Sequence, residues 1–318
     1  MFAPFFVLFG LIAVGYLCRK FDLIDDVKND GLGSILVHIA LPALLLSSMI
    51  QTEIQGKLLV EFLTMTLLSV AFYFLYALFA IIYIKLAKVP QRLGSMVQLS
   101  MLTSNNGFMG FPITMAFFGQ QGLFLMVANN LAMGIVVWSY GLFILKRTKR
   151  IFEGDENVEK SSVSESLRQI FNNTVVAIFI GLAIGIAGIN SYIPDAVAKL
   201  IEILGSLATP LSMLYIGATL YNSSFSSLFR NRLILGVSIT RLTLFAAATF
   251  AIVWLLPIPS LMKQISLLVI TLPSAAVVPV MTGQYGIGVE ESTKIVVLST
   301  LLSLVITPLG VYIALTFL

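Results

Sequence analysis

The sequence predicts an all-α polytopic membrane protein: ten transmembrane helices forming two inverted five-helix repeats, with helices 4 and 9 broken and crossing. Three observations carry this expectation. Of 318 residues, 58% are hydrophobic and only 11% charged, with a mean hydropathy of +0.99, whereas soluble domains hold about 25% charged residues. Apolar runs near the ~20 residues that cross a bilayer core recur ten times. Two of these runs carry amides, glycines and prolines where a helix in lipid should be unbroken.

The runs cover 2–18, 32–51, 58–86, 94–117, 121–145, 173–191, 197–220, 233–256, 263–285 and 292–317. The first has no basic residue before it and no small-residue cleavage site, so it reads as a span rather than a signal peptide. Cys18 is the sole cysteine, which rules out an intrachain disulfide. Most links are short. The exception, 146–172, holds Lys146-Arg147-Thr148-Lys149-Arg150 followed by Glu153, Asp155, Glu156, Glu159 and Lys160, and reads as a solvated linker. The expected organisation is a first five-helix repeat at 1–145, a linker at 146–172 and a second repeat at 173–318.

Orientation follows from the basic residues. With the N-terminus outside, fifteen of the 19 Lys and Arg fall in cytoplasmic loops, while Lys57, Lys199 and Lys263 fall outside and Arg241 lies in a span. The sequence thus predicts a multi-pass protein of the plasma membrane, the bacterial inner membrane, with both termini outside and the linker cytoplasmic. An odd number of spans per half requires homologous halves to insert with opposite orientation. Prolines align at nearly one offset: Pro42 with Pro210, 168 residues apart, and Pro112 with Pro279, 167 apart. Paired interruptions in corresponding positions of two halves point to a mid-membrane transport site.

The candidate substrate-binding residues follow from these interruptions. In span 4, Thr103-Ser104-Asn105-Asn106-Gly107-Phe108-Met109-Gly110-Phe111-Pro112 offers amides at Asn105 and Asn106, an unwound backbone at Gly107 and a missing donor at Pro112. The half-helix after the break presents free N–H groups and partial positive charge, which favour a carboxylate. In span 9, Pro273-Ser274 and Pro279 bracket small residues, and the 168-residue offset places Pro273 over Asn105. Asn129 in span 5 belongs either to helix pairing or to substrate contact. The structural alternative for spans 4 and 9 is amide pairing and a kinked packing helix. His38, the single histidine, fits a proton shuttle or a packed residue. Arg241 either attracts anions or snorkels to the interface. Glu61 and Glu202 fall at the outer ends of their spans.

Several classes are excluded. No acid sits at the centre of a span, which argues against a carboxylate-based cation antiporter. There is no phosphate loop for an ATP-driven pump and no HExxH or Cys/His cluster for a metalloprotease. No enzyme, cofactor, metal or nucleic-acid role is expected; the partners are the lipid bilayer and a small organic anion.

The marks Leu41-Pro42 with Ser47, Asn105 through Met109-Gly110-Phe111-Pro112, and Leu272-Pro273 to Pro279 followed by Gln284-Tyr285-Gly286 make the whole chain resemble the auxin efflux carrier family. That family includes the plant PIN carriers and bacterial malate or malonate permeases. The resemblance implies two inverted five-helix repeats, a scaffold of helices 1, 2, 6 and 7, and a transport domain that crosses at Pro112 and Pro279. It also implies a homodimer, elevator-type export of an organic anion, and substrate contact at Asn105. The short linker resembles bacterial rather than plant members, and the plant acidic–lysine support pair has no match here. Proton coupling, or uniport driven by membrane potential, is expected ahead of sodium. The alternatives are a sodium-dependent symporter of the bile-acid-transporter type and a non-transporting membrane sensor.

Overall fold

A computed structural model describes residues 3–50, 56–153, 173–221 and 225–318. The described residues are helical with no strand. Among the described residues, seven helices are long and apolar enough to cross a membrane: α1 (Ala3–Lys20), α2 (Asp26–Ile50), α3 (Lys57–Leu86), α8 (Asp195–Tyr221), α10 (Arg232–Leu255), α13 (Val289–Phe317) and the 62-residue stretch Gln91–Phe152. That last stretch contains α4 (Gly94–Leu102), α5 (Phe111–Val136) and the start of α6 (Leu142–Glu153). The remaining α-helices among the described residues are α7 (Asn173–Ala187), α9 (Phe225–Arg230), α11 (Ser260–Thr271) and α12 (Val277–Gln284).

Two features of the sequence reading change. The cluster Lys146 to Arg150 lies on α6, which runs on to Glu153, so the expected linker begins as helix; residues 154–172 of that linker lie outside the described residues. Within α5, Gly119 adopts φ 60° and ψ −157°. This conformation is essentially reserved for glycine, and it turns the chain between the fourth and fifth apolar runs.

Four π-helical turns interrupt the α-helices among the described residues: Leu36–Ala40, Asn106–Gly110, Val137–Gly141 and Arg241–Phe245. The first has a local cause. Pro42 lacks an N–H and its ring crowds the preceding turn, and widening that turn lets α2 continue past it. Pro210 needs no such device: it sits in the first turn of the helical segment Ala208–Tyr221, where its N–H would be unpaired in any case.

The chain divides into two compact units. One comprises the described residues of Met1–Met65, Gly107–Ala128 and Phe171–Ser223. In it α1 lies against the second half of α8. A Cβ on Gly15 would collide with the backbone of Leu214, and one on Gly217 with that of Ile12. Small residues permit this backbone approach, which is how helices associate without a hydrophobic drive between them. The second half of α2 packs on α7 at Gly181 and on α8 at Gly205, and Asn190 Nδ2 donates to Ile50 O at 2.7 Å.

The second unit comprises the described residues of Thr66–Asn106, Asn129–Ile170 and Ser224–Leu318. Its centre is α4, α10, α11 and α13, with the far part of α3 alongside. Gly310 of α13 lets that helix close on Thr271.

Candidate functional site

Two helices of the second unit stop inside the protein. α4 ends at Leu102, and Thr103 is extended at φ −88°, ψ 149°. Ser104, Asn105 and Asn106, whose side chains compete for backbone groups, and Gly107, with its backbone freedom, then supply a run of poor helix formers. α11 ends at Thr271, and Leu272 is extended at φ −69°, ψ 155°. Here the cause is steric, because a residue before proline is driven out of the α region. The two interruptions meet: the Asn105 N–H donates to Pro273 O at 2.9 Å. The bonded residues are the pair 168 positions apart.

Each interruption leaves helix-end carbonyls that lipid cannot satisfy, and side chains answer them. Thr103 Oγ1 donates to Leu99 O at 2.8 Å. Thr307 Oγ1, on α13, donates to Thr271 O at 2.7 Å. Arg241 answers both interruptions together. Its Nη1 donates to Leu272 O and to Ile270 O, the latter at 3.3 Å, and its Nη2 donates to Thr103 O at 2.7 Å and Ser104 Oγ at 2.8 Å. The side chain is 0% exposed. Helix C-termini carry partial negative charge, so a cation is the natural partner for two of them converging. On the opposite side of the second break, Ser274 N–H donates to Ser299 Oγ at 3.1 Å.

A buried polar network continues from the first break. Asn106 Nδ2 donates to Asn129 Oδ1 at 3.0 Å. Asn129 Oδ1 also accepts from the Tyr73 hydroxyl at 2.9 Å, and Asn129 Nδ2 donates to Ser69 Oγ at 2.9 Å. Three polar atoms at the interruptions have no protein partner: Asn106 Oδ1, Ser274 Oγ and Arg241 Nε.

Of the expected site residues, Asn105, Asn106, Asn129, Pro273, Ser274 and Pro279 fall in the second unit. Asn105 is 7% exposed, and Asn106 and Ser274 are fully buried. Pro279 occupies the first turn of α12 and its carbonyl accepts from Thr282 Oγ1 at 3.2 Å. Gly107 and Pro112 belong to the first unit, where Gly107 faces Leu41 of α2. Pro112 is the second residue of α5, which directly follows the π-turn Asn106–Gly110, the same placement that Pro42 has after Leu36–Ala40. His38 lies on the exposed face of the first π-turn with Nδ1 2.9 Å from Ser34 O.

Four residues were not read as part of the site: Ser69, Tyr73, Ser299 and Thr307. Each had a weak signal. Ser69 and Tyr73 are four apart on α3, and Ser299, Ser303 and Thr307 repeat at four-residue spacing on α13, a polar stripe on an otherwise apolar helix. Arg241, left open between anion attraction and snorkelling, is buried and bonded within the protein, so it does not snorkel.

Buried mid-helix interruptions in corresponding positions are common in transporters, and the comparisons place the chain among membrane transport proteins. A family profile described as membrane transport protein matches residues 1–311. The chain is similar to an uncharacterized transporter of Methanocaldococcus jannaschii, 24% identical over 306 residues and covering 94% of each chain. It is also similar to an uncharacterized transporter of Methanothermobacter thermautotrophicus, 22% identical over 301 residues, covering 94% of this chain and 93% of the relative. The chain belongs to the membrane transport protein family, the auxin efflux carrier family that its sequence resembles.

Proposed function

We propose that the protein is a secondary transporter that carries a small organic anion, a carboxylate, across the plasma membrane by elevator-type alternating access, and that it does so as a homodimer of ten-span chains built from inverted repeats. The observation that carries this reading is the meeting of two interrupted helices at the Asn105 N–H to Pro273 O bond. A packing helix gains nothing from a break whose carbonyls must then be answered by two other helices, α10 and α13; a substrate site gains an unwound backbone at mid-membrane. Asn105 presents its amide there. Asn106 and Asn129 hold the segment in place, and Pro273, Ser274 and Pro279 shape its counterpart. Gly107 and Pro112 set how the chain leaves the first break. With no acid in the site, the cycle runs as uniport on the membrane potential or with a proton, ahead of sodium.

The test is counterflow of radiolabelled malonate and malate in proteoliposomes, with wild-type protein and Asn105→Ala. The expected result is exchange by wild type and at least a tenfold loss in the variant. Full exchange by folded Asn105→Ala would remove Asn105 from the site.

A further inference from the structure

Arg241 is a buried cation without an acidic partner. Among the described residues no ion pair includes it. The described acids of its unit are Glu153 at the end of α6 and Glu290 and Glu291 in the first turn of α13. Glu290 is bonded to Lys294, and it lies nine residues before Ser299, about 13 Å of helix rise from the level of the second break. A guanidinium so enclosed is costly unless charge elsewhere offsets it. Its hydrogen bonds go to three carbonyls and one hydroxyl. The partial charges of the α4 and α11 C-termini hold it in place, but those helices are neutral overall. One positive charge therefore stays at the two interruptions. Two donors there, Arg241 Nε–H and the Ser274 hydroxyl, also lack a protein acceptor.

We infer that Arg241 is the charge-selecting residue of the Asn105 site: a fixed cation that fastens the two interruptions and makes the site accept carboxylates over neutral molecules of the same shape. The inference rests on the transport-site reading above. Arg241 Nη2 binds the carbonyl two residues before Asn105, so a carboxylate on the Asn105 amide stands roughly 7 Å from the charge at about 3.3 Å per extended residue. At an effective dielectric of about 20 that separation corresponds to roughly fiftyfold in affinity. The partial charges of the two helix ends, about half a charge each, oppose it, so that figure is a ceiling, and the test takes tenfold as its threshold. Arg241 acts on the ligand through its field and through the backbone it positions.

The experiment compares each acid with its amide: malonate with malonamide, malate with malamide, and phenylacetate with phenylacetamide. Binding is followed by thermal stabilisation of the purified full chain and by equilibrium dialysis. In wild type at least one acid should stabilise and bind at least tenfold better than its amide; no such difference for any pair would overturn the inference without recourse to a variant. Folded Arg241→Gln should lose that preference, its acid affinity falling at least tenfold more than its amide affinity, and folded Arg241→Lys should keep it. A preference intact in Arg241→Gln, or lost in a folded Arg241→Lys that still binds the amide, also overturns it. Should Arg241→Gln fail to fold, the wild-type and lysine arms decide. Charge-selective binding that depends on Arg241 but comes with no flux in proteoliposomes would sink the transport reading and leave this one standing. Flux lost in Asn105→Ala but unchanged in Arg241→Gln would do the reverse.

Discussion

Replacing Asn129 by leucine should destabilise the protein by about 2–4 kcal/mol. The exchange keeps the branched outline of the side chain, with two methyl groups bulkier than the amide, and removes three hydrogen bonds: from the Tyr73 hydroxyl at 2.9 Å, from Asn106 Nδ2 at 3.0 Å and to Ser69 Oγ at 2.9 Å. Side-chain hydrogen bonds between membrane helices average only ~0.6 kcal/mol, which sets a floor of about 2 kcal/mol for three. The ceiling is higher because Tyr73, Asn106 and Ser69 are all buried, and an orphaned buried polar group costs ~1–3 kcal/mol. Ser69→Ala removes one of the three bonds and should cost about 1 kcal/mol. The assay is unfolding in mixed micelles with increasing SDS, followed by far-ultraviolet circular dichroism. If Asn129→Leu costs no more than Ser69→Ala, the hub is not what holds α3 and the end of α5 to the first interruption. If stability falls as expected while malonate binding is retained, Asn129 pairs helices and does not meet substrate.

Thr307→Val, nearly isosteric, should cost about 1 kcal/mol in the same assay, since it removes only the bond to Thr271 O at 2.7 Å. Gly217→Ala should cost ~2–3 kcal/mol, because its methyl would strike the backbone of α1 at Ile12, whereas Gly10→Ala has open space and should be neutral; a neutral Gly217→Ala would mean that α1 and α8 are free to separate. The start of α2 should loosen in acid. The Lys28 N–H, at 2.8 Å from Asp25 Oδ1, together with the Lys28 ammonium, holds the Asp25 carboxyl below the usual carboxylate range. A depressed carboxylate stabilises above its unfolded value of about 3.9 and loses that contribution as pH falls. Protection factors of the amides at 26–29, with the intrinsic pH dependence of exchange divided out, should therefore fall below about pH 4 in wild type and stay nearly constant in Asp25→Asn.

The parts of this fold that were legible in the sequence are those governed by local physics. A residue before proline leaves the helix whatever surrounds it, so Leu272-Pro273 announced the second interruption. Asn105, Asn106 and Gly107 announced the first because such residues do not sit mid-span without cause. The turn between the fourth and fifth runs was legible only as a gap near 118–120, and Gly119 supplies it through a backbone conformation that periodicity does not register. What stayed hidden was tertiary. An arginine nine residues past Arg232 has the same local sequence whether it snorkels or turns inward, and only the converging ends of α4 and α11 decide. Tyr73 and Ser69 are ordinary residues on α3 until Asn129 arrives opposite them. The helical start of 146–172 was missed because a basic cluster reads as solvated in either state; solvation does not forbid helix, and here α6 carries Lys146 to Arg150 onward.

These hidden contacts share one origin. In water, a helix that stops can hand its last carbonyls to solvent. In a bilayer it cannot, and each unanswered group costs several kcal/mol. Two interruptions at one place therefore recruit polar side chains from helices that would otherwise be apolar throughout: Arg241 from α10, Ser299 and Thr307 from α13, and, through Asn106 and Asn129, Ser69 and Tyr73 from α3. These polar residues are thus not scattered decoration on a hydrophobic frame. They are arranged around two backbone breaks, and the Asn105 amide is the group that arrangement holds nearest to access. A substitution at any of the five should disturb binding at Asn105 in proportion to how far it loosens the segment 103–106, an ordering that malonate affinities of the single variants would reveal.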